Sequence, residues 1–505
     1  MDAFLSQVAK INDAINGFVW VKIGLILLIG TGVLMTGLTK VFQITHFRHW
    51  WKNTIGRVFQ KGSDVHDKSD AKNISQFQSL CTALAATVGV GNIAGVASAI
   101  ASGGAGAIFW MWVAAFFGMM TNYSENVLGI YYRRKNKQGE WCGGAMYYLR
   151  DGLGAKKGCK TIGAVLATLF SVFCVLASFG IGNLSQVNTI AVNVNQAFGL
   201  PFWVAGLVIM ILVGVVIIGG LKRIASVTEK IVPFMVILYI VGALIIFFAH
   251  ISKFGAIFGT IFRHAFGVKA VAGGFVGISV KTVVTWGFKR GVFSNEAGLG
   301  SSVMVHSCSN AKEPVHQGMW GIFEVFADTI IVCTLTAFAI LASGVVNMQT
   351  GEVLVMNSAG KALEQTALVG AAFQTVFGSA GTMFIALAVL LFAFSTVLGW
   401  SVYGSKAWEY LFGTKSTIGY KVFFVLVIMA GALLKSSLAW DISDTFNGLM
   451  MIPNLIGVVA LSPIVYKITR NYEDRKLKNK KEKPVLSAFP DIQKEHEEAI
   501  LKNEE

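Results

Sequence analysis

The fold is decided by the stretch Thr87-Val88-Gly89-Val90-Gly91-Asn92-Ile93-Ala94-Gly95. It lies within an apolar run over residues 77–100, which is long enough to cross a bilayer as a helix. Two glycines spaced by one residue weaken a helix by about 1 kcal/mol each relative to alanine, and backbone groups freed in lipid need an enclosed cavity or a ligand. The stretch therefore predicts a helix unwound at mid-membrane, with carbonyls, amides and the Asn92 side chain as ligands. The alternative is close helix packing through small residues.

The composition is that of a membrane protein. Of the 505 residues, 54% are hydrophobic and 14% are charged, whereas soluble domains carry about 25% charged residues. Residues 1–16 are polar and amphipathic and the first apolar run is too long for a signal peptide, so we expect no cleavable leader. The six cysteines form no CxxC pair, which argues against a disulfide framework or a zinc site.

Eleven apolar runs are candidate transmembrane helices, which predicts an all-α polytopic membrane protein. They cover residues 18–42, 77–100, 107–132, 162–191, 202–220, 231–251, 269–288, 318–341, 380–401, 420–435 and 446–468.

The distribution of basic residues predicts the orientation. If the C-terminus is cytoplasmic, the odd number of spans places the N-terminus outside, and about 33 of the 42 Lys and Arg residues fall in cytoplasmic segments. These segments are 46–73, 133–160, 221–230, 289–317, 403–421 and 467–505. The net charge of +15 is thus explained by orientation, and we expect no nucleic-acid partner.

Two polar segments lie outside the predicted spans. The tail over 471–505 is charged in Lys-rich and then Glu-rich blocks, which indicates a disordered or loosely helical segment. The outward loop over 342–374 is too polar to span a membrane. Residues 357–366 in it have helical character and are expected to fold over the outer vestibule.

The spans divide into two halves once the first is set aside. Each half of five begins with a glycine-interrupted helix, the second of which carries Val271-Ala-Gly-Gly-Phe-Val-Gly277-Ile278. Five is odd, so the halves insert with opposite orientations, and interrupted helices at matching positions of inverted halves indicate a transport site at the midplane. Half-helix ends offer N–H groups to a carboxylate and carbonyls to a cation, which suits a zwitterionic amino acid with Na⁺.

The chain resembles the alanine or glycine:cation symporter family, within the amino acid–polyamine–organocation superfamily. The resemblance is carried by Gly91-Asn-Ile-Ala-Gly95, Gly104-Ala-Gly-Ala-Ile-Phe-Trp-Met-Trp112, Gly143-Gly-Ala-Met-Tyr-Tyr148 and Arg290-Gly-Val-Phe-Ser-Asn-Glu-Ala-Gly-Leu-Gly-Ser301. It implies import of small neutral amino acids, alanine or glycine first, coupled to Na⁺ or H⁺ across the plasma membrane. The family often continues after Gly300 with Ser-Ala-Pro, whereas this chain has Ser301-Ser302-Val303.

The resemblance also implies the five-plus-five inverted-repeat fold of the bacterial leucine transporter, with one added N-terminal helix. We accordingly divide the chain into an extra helix (1–45), a cytoplasmic loop (46–76), a first repeat (77–251), a second repeat (252–468) and the tail (469–505).

A cation site is expected where the ninth span faces the first break. Ser395 and Thr396 are adjacent hydroxyls in an apolar span, which either ligate a cation or bond back to their own helix carbonyls. The leucine-transporter resemblance places them opposite the carbonyls of Ala85 and Val88. The full expected set is Ala85, Thr87, Val88, Asn92, Phe392, Ser395 and Thr396.

The substrate site is expected beside the cation. Asn92 and the backbone at Val90 and Gly91 are expected to take the carboxylate, with Trp400 as a wall or an interfacial tryptophan. Asn183 and Gln186 share a helix face, and amides in a span mark a cavity or an interhelical bond. The second break is expected to contribute Gly273, Gly274, Phe275 and Gly277.

Four ionisable residues fall within spans, namely Glu125, Lys281, Glu324 and Asp328. Glu324 and Asp328 are four residues apart on one helix face, with Lys281 as a candidate partner; the alternative is a proton relay that couples transport to H⁺. Asn295 and Glu296 are expected in a cytoplasmic loop after the seventh span, as an inner gate or scaffold. His306 and His316 are interpreted as loop histidines.

Other functions are less well supported by the sequence. A channel would call for a symmetric oligomer with a repeated filter sequence, and an enzyme would need an acid–base or metal constellation that is missing from this sequence. We expect Na⁺ as the co-transported ion, no organic cofactor, and an amino acid and the bilayer as partners; a monomer is possible. H⁺ coupling and a preference for glutamine or serine stay open.

Overall fold

The computed structural model describes residues 2–60, 63–70, 72–266, 279–348, 351–357, 360–434 and 438–504, most of them helical. The helices of the first part are α1 (Asp2–Gly17), α2 (Leu25–Leu38), α3 (Phe42–Thr45), α4 (Phe47–Asn53), α5 (Ile55–Val58), α6 (Gln76–Thr87), α7 (Ala94–Gly103), α8 (Ala107–Tyr131), α9 (Ala145–Tyr147), α10 (Lys160–Phe179), α11 (Ser185–Phe198) and α12 (Phe202–Ile218). A short antiparallel hairpin, β1 (Arg134–Lys135) and β2 (Trp141–Cys142), pairs Arg134 with Cys142.

The second part continues with helices of the same kind. They are α13 (Gly220–Ala249), α14 (Phe254–His264), α15 (Val280–Asn295), α16 (Val303–His306), α17 (Pro314–Val325), α18 (Thr334–Ala342), α19 (Gln365–Phe377), α20 (Ala380–Phe412), α21 (Thr417–Leu433), α22 (Leu438–Ala460), α23 (Ser462–Lys476) and α24 (Pro490–Glu504). Wider π-helical turns join α1 to α2 (Phe18–Gly24), follow α9 (Tyr148–Leu153), and join α10 to α11 (Gly180–Leu184) and α17 to α18 (Phe326–Cys333). Short 3₁₀ turns are Asp64–His66, Val90–Asn92, Ile251–Lys253 and Thr414–Ser416.

Seven helical stretches of the described chain are long and apolar enough to cross a membrane. Some of them consist of two of the helices above, joined by a π-helical turn. Gln76–Thr87 and Val90–Gly103 add an eighth span if the bent pair is counted as one. The multi-pass helical architecture is therefore confirmed, whereas the count of eleven spans and the repeat layout stay predictions.

The first predicted break is present. The helix axis bends by 55° between Gln76–Thr87 and Val90–Gly103, and Val88 and Gly89 leave helical geometry with ψ of 85° and −153°. The bend lies where the two glycines and Asn92 predict it.

The predicted second break, the glycine run around 271–278 with Gly273, Gly274, Phe275 and Gly277, falls outside the described residues. A further interruption lies later in the chain, where α15 ends at Asn295 and α16 begins at Val303, and we call it the second break of the described chain. Between them Glu296, Gly298 and Gly300 have φ of 57°, 94° and 71°. Gly298 and Gly300 provide this left-handed geometry at little cost. The prediction that Asn295 and Glu296 sit in a cytoplasmic loop is wrong, because this segment is a buried interruption within the bundle.

The segments predicted to be cytoplasmic meet at one end of the bundle, called here the basic end. Ile74 pairs with Ser309, the backbone N–H of Trp141 donates to Asn73 Oδ1 at 2.8 Å, and the ammonium of Lys68 pairs with Glu229 at 2.8 Å. Lys289 is an exception within its predicted segment, because it lies in α15 and contacts Asn16 near the other end.

The helix in the predicted outward loop begins at a later residue than expected. Residues 357–366 were predicted to have helical character, whereas α19 begins only at Gln365 and continues to Phe377. Ahead of it the backbone forms isolated bridges, one between Val346 and Val353 and one between Met356 and Ala362.

The charged tail is partly helical, which agrees with the helical alternative of the prediction and not with disorder. It contains α23 and α24, and the backbone N–H of Ala488 donates to the carbonyl of Tyr131 at 2.9 Å. On α24, His496 is buried, with its ring 5.6 Å from that of Trp141 and its Nε2 3.4 Å from Arg133 Nη2. Arg133 itself donates to the carbonyls of Ser309 and Ala311, so the tail helix covers an arginine anchored to the loop after α16.

We predict that acid releases α24 from the basic end. Burial, and then the positive charges of Arg133, Lys135 and Lys312, lower the pKa of His496 to about 3, against about 6.5 for a free histidine. The docked state therefore keeps its full stability above pH 6.5 and loses it progressively as the pH falls, since the undocked histidine binds the proton. Hydrogen exchange of 490–504, normalised for intrinsic rates, should rise between pH 7.5 and 5.5.

The matched control is His496→Gln, which cannot titrate. Its exchange in 490–504 should change little over the same pH range. A variant that shows the same pH-dependent release as the unmodified protein would contradict the assignment to His496.

Candidate functional site

Four oxygens converge where α20 crosses the first break. The hydroxyls of Thr396 and Ser395 donate to the carbonyl of Ala85 at 3.1 and 3.3 Å, and to the carbonyl of Phe392 at 3.0 and 2.8 Å. All four residues are buried. In a continuous helix the carbonyl of Ala85 would accept from the N–H of Gly89, but that N–H donates to Asn92 Oδ1 instead. Unwinding thus frees a carbonyl that the two hydroxyls meet.

Both sequence interpretations of Ser395 and Thr396 apply to this geometry. The bonds to Phe392 are the back-bonds that hydroxyls make within their own helix, and the bonds to Ala85 cross to the break. Oxygen donors alone, without sulfur or nitrogen, suit a hard cation, although Ser395 Oγ also lies 3.3 Å from Met235 Sδ.

The approach of α20 to the break requires glycine on both sides. A Cβ on Gly89 would lie 2.4 Å from Thr396 Oγ1, and a Cβ on Gly399 would lie 2.8 Å from the backbone nitrogen of Ala86. Side chains at either position would separate the hydroxyls from the Ala85 carbonyl. The glycine at position 89 is therefore a packing requirement of the oxygen cluster.

Asn92 holds the unwound backbone in place. Its Oδ1 accepts from the N–H of Gly89 at 2.9 Å, and its Nδ2 donates to Asp328 Oδ1 at 2.6 Å and to the Asp328 carbonyl at 3.2 Å. In this structure the Asn92 amide is thus engaged by the protein on both sides.

Asp328 and Thr329 connect the two breaks. The Thr329 hydroxyl donates to Asp328 Oδ2 at 2.8 Å and accepts from the side-chain amide of Asn295 at 3.0 Å. Asn295 is the last residue of α15, so one chain of hydrogen bonds runs from the first break to the second. Both bridging residues lie in the π-helical turn Phe326–Cys333, a type of distortion that is frequent at functional sites.

The two breaks are also in direct contact. A Cβ on Gly91 would lie 3.2 Å from the Cα of Ser294 and 3.3 Å from the ring of Phe293. Val90 and Gly91 are buried against the end of α15, beside the predicted position of a substrate carboxylate.

Glu296 links the second break to α20. Its Oε1 accepts from Trp400 Nε1 at 2.8 Å, and its Oε2 accepts from the hydroxyl of Ser301 at 2.6 Å. Trp400 lies one turn after Thr396 and is buried, with Gly182 packed on its Cβ. It is therefore an internal tryptophan rather than an interfacial one.

The two predicted amides lie in the π-helical turn Gly180–Leu184 and at the start of α11. Asn183 Nδ2 donates to the carbonyl of Phe424 at 2.7 Å and Gln186 Nε2 donates to that of Ile181 at 2.9 Å. Within the described chain, the buried oxygens Asn183 Oδ1 and Gln186 Oε1 have no donor. Thr87, expected among the cation ligands, instead donates to its own helix carbonyl at Ala83.

The ionisable residues have other partners than expected. Lys281 is exposed in the first turn of α15, so its predicted pairing with Glu324 or Asp328 is wrong. Glu324 Oε2 lies 3.0 Å from His306 Nε2, with both side chains fully buried. His306 is therefore a buried histidine and not a loop histidine. His316 is half-buried, with its ring 5.6 Å from that of Tyr472.

Glu125 belongs to a separate buried cluster. It accepts from the side-chain amide of Asn454, whose nitrogen also donates to the carbonyl of Gly298 at 2.8 Å. The hydroxyl of Tyr148 donates to Asn454 Oδ1. This cluster contacts the second break through the bond from Asn454 to the carbonyl of Gly298.

The sequence analysis did not predict a role for the polar residues on one face of α22. Asp444 pairs with Lys289 at 2.7 Å and lies 3.5 Å from Arg290, and the ring of Trp440 stacks on Phe293 at 5.8 Å. We call Lys289, Arg290, Phe293, Trp440 and Asp444 the outer cluster. Between it and Asn454 lies Asn447, whose two buried amide atoms have no partner among the described residues. The spacing of 444, 447 and 454 in an apolar run was the available signal, because it places polar residues on one helix face.

Two facing broken helices with an oxygen cluster at the first break define a class, the multi-pass secondary transporters with a midplane site. The chain belongs to the sodium:alanine symporter family, whose family model matches residues 5–487. Membership makes it a cation-coupled amino acid symporter, a class of transporters rather than enzymes.

Curated relatives agree over nearly the whole chain. The sodium/alanine symporter AgcS of Methanococcus maripaludis is 42% identical over 462 residues, covering 92% of this chain and 96% of its own. The amino-acid carrier protein AlsT of Bacillus subtilis is 34% identical, with 94% and 93% covered. "Probable sodium/glutamine symporter GlnT" of the same organism is 34% identical, with 95% and 93% covered.

A solved structure shares the fold. The crystal structure of MhsT in complex with L-phenylalanine superposes with a TM-score of 0.50 at 12% identity, covering 79% of this chain and 98% of that one. This likeness supports a transporter fold of the leucine-transporter type.

We predict that Gly89→Ala impairs transport without preventing folding. The added methyl group would lie 2.4 Å from Thr396 Oγ1, so α20 must move away from the break. Uptake should fall at least about tenfold, the effect of roughly 1.4 kcal/mol on the cation site. The control is Gly37→Ala in α2, where nothing lies within 4 Å of the new Cβ. Equal uptake by the two variants would show that the close approach is not needed.

Proposed function

We propose that this protein imports small neutral amino acids, alanine or glycine first, together with Na⁺ by alternating access. The observation that carries the proposal is the cluster of four buried oxygens from Ala85, Phe392, Ser395 and Thr396 at the first break. Two carbonyls and two hydroxyls give an uncharged oxygen site that suits a monovalent hard cation. The relative AgcS, named as a sodium/alanine symporter, points in the same direction.

The donor set favours Na⁺ over H⁺. None of the four oxygens belongs to a group that titrates near neutral pH, and proton relays in membranes use Asp, Glu or His. H⁺ coupling is the second candidate, because the buried pair of His306 and Glu324 consists of side chains of the types that relay protons in membranes. The two candidates therefore place the coupled ion at different positions in the bundle.

The substrate is proposed to lie between the two breaks. The N-terminus of α7, just after Asn92, would offer backbone N–H groups to the carboxylate, while Trp400 and the unpartnered oxygen of Gln186 are proposed to form the opposite wall. The close packing of Gly91 on Ser294 and of Gly182 on Trp400 argues for a small side chain. A glutamine- or serine-preferring symporter is the alternative, given the name of GlnT.

The orientation follows from the charges. We infer that the basic end faces the cytoplasm, with the N-terminus and the outer cluster on the opposite side of a plasma membrane. The outer cluster then closes the site from outside through the pairing of Asp444 with Lys289 and the stacking of Phe293 on Trp440.

We predict that Thr396→Ala raises the Na⁺ concentration for half-maximal alanine uptake about tenfold, the effect of roughly 1.4 kcal/mol of lost cation binding. Labelled alanine uptake into proteoliposomes with an inward Na⁺ gradient measures this. Thr168→Ala is the control, because the exposed Thr168 hydroxyl bonds only to its own helix carbonyl at Ala164.

If alanine uptake by the unmodified protein does not depend on Na⁺ but is driven by a pH gradient, the coupling role would be assigned to His306 and Glu324. Flux that does not saturate under either gradient would favour a channel.

We predict that Gln186→Ala loses alanine affinity while Na⁺-dependent stabilisation is kept. The change removes a buried oxygen that has no donor in the described chain, so the folded protein loses no bond there beyond the one to Ile181. Alanine binding by the purified protein and the Na⁺-induced shift in melting temperature measure the two effects separately. Gln196→Ala, exposed on the same helix, is the matched control. Alanine affinity unchanged in Gln186→Ala would remove this residue from the site.

A further inference from the structure

A lysine-lined cavity lies at the basic end, away from the transport site. Its volume is about 410 Å³, and it lies between the ends of α12, α13, α20 and α21. Four lysines line it, namely Lys72, Lys222, Lys406 and Lys421. Two carboxylates, Glu140 and Glu409, line it as well, so lysines exceed acids by two.

The carboxylates are already engaged. Glu409 accepts from Lys406 at 3.0 Å, from Thr414 at 2.9 Å and from Asn136 at 3.2 Å. Glu140 accepts from the same Asn136 amide at 3.0 Å. Among the described residues, no carboxylate lies within 4.0 Å of the ammonium of Lys72 or Lys421. Two of the four positive charges therefore face the cavity without an ion pair.

The backbone adds to the positive potential. Gly220 and Leu221, in the first turn of α13, and Thr417, the first residue of α21, line the same cavity. Lys421 lies one turn into α21, and its Nζ is 4.0 Å from the Cβ position of Gly220, so the starts of the two helices are adjacent. N-terminal helix ends attract anions, phosphates in particular.

Apolar surface adjoins the cavity. Ile217 and Thr417 line it, and their chain neighbours Ile218 and Ile418 are 66% and 57% exposed. Val422, next to Lys421, is 52% exposed. Exposed apolar residues of a multi-pass membrane protein suit contact with lipid, and here they border the lysines of the cavity.

We propose that this cavity binds the phosphate-bearing head group of an anionic phospholipid, with its acyl chains along the exposed residues of α12 and α21. Basic pockets between helices at the cytoplasmic surface suit such head groups. Lys421 and Lys72 contact the phosphate, and the starts of α13 and α21 supply additional donors.

The test measures lipid binding by the purified full-length protein in detergent. Native mass spectrometry with added phosphatidylglycerol or phosphatidylcholine gives the affinity for each lipid. The unmodified protein should prefer phosphatidylglycerol, and each lysine removed should cost about fivefold, so Lys72→Gln with Lys421→Gln should lose most of that preference. Lys157→Gln, exposed at the same end of the bundle, should keep it, as should Lys421→Arg.

Two results would overturn the proposal. One is an unchanged preference for phosphatidylglycerol in the double variant, or in Lys421→Gln alone if the double variant does not purify as a single species. The other is loss of bound phosphatidylglycerol when inorganic phosphate is added, with phosphate binding that depends on the same lysines. That result would assign the cavity to a soluble phosphate.

Discussion

The carboxylate of Asp328 is the constraint on which the site depends. It accepts from Asn92 at 2.6 Å and from Thr329 at 2.8 Å, and Thr329 in turn accepts from Asn295. An acidic group inside a membrane bundle is costly unless it is partnered. Here one partner is Asn92, which shapes the first break, and the other is Thr329, which connects the acid to Asn295 at the second. The cost of burying the acid is thus offset by bonds that also fix the distance between the breaks.

The oxygen cluster gains its character from that arrangement. Because Asn92 takes the N–H of Gly89, the carbonyl of Ala85 has no helical donor and accepts from Ser395 and Thr396 instead. A buried carbonyl left without a donor would cost about 1–3 kcal/mol. The hydroxyls satisfy this carbonyl, so the unwound backbone at the first break is held by the protein itself.

Local patterns predicted the parts of the site that are encoded locally. The paired glycines and Asn92 predicted the first break, whereas it was the resemblance to the leucine transporter that placed the adjacent hydroxyls of Ser395 and Thr396 opposite it. The segment 296–302 was predicted as a cytoplasmic loop rather than as a break within the bundle, because the bond that holds Glu296 comes from Trp400 on another helix. His306 and Asn454 were misread or missed for the same reason, since their carboxylate partners Glu324 and Glu125 lie 18 and 329 residues away in sequence.

The two ends of the second broken helix, α15 and α16, are held by bonds of different kinds. Arg133 donates to the carbonyls of Ser309 and Ala311, and so ties the segment after α16 to α8 and to the tail helix. The outer end of α15 is held to α22 by side-chain ion pairs, and Arg290 keeps donors that no described group accepts. Ion pairs can separate without disturbing the backbone. The contact between α15 and α22 can therefore open without loss of backbone hydrogen bonds, whereas the segment after α16 stays tied to the basic end through Arg133.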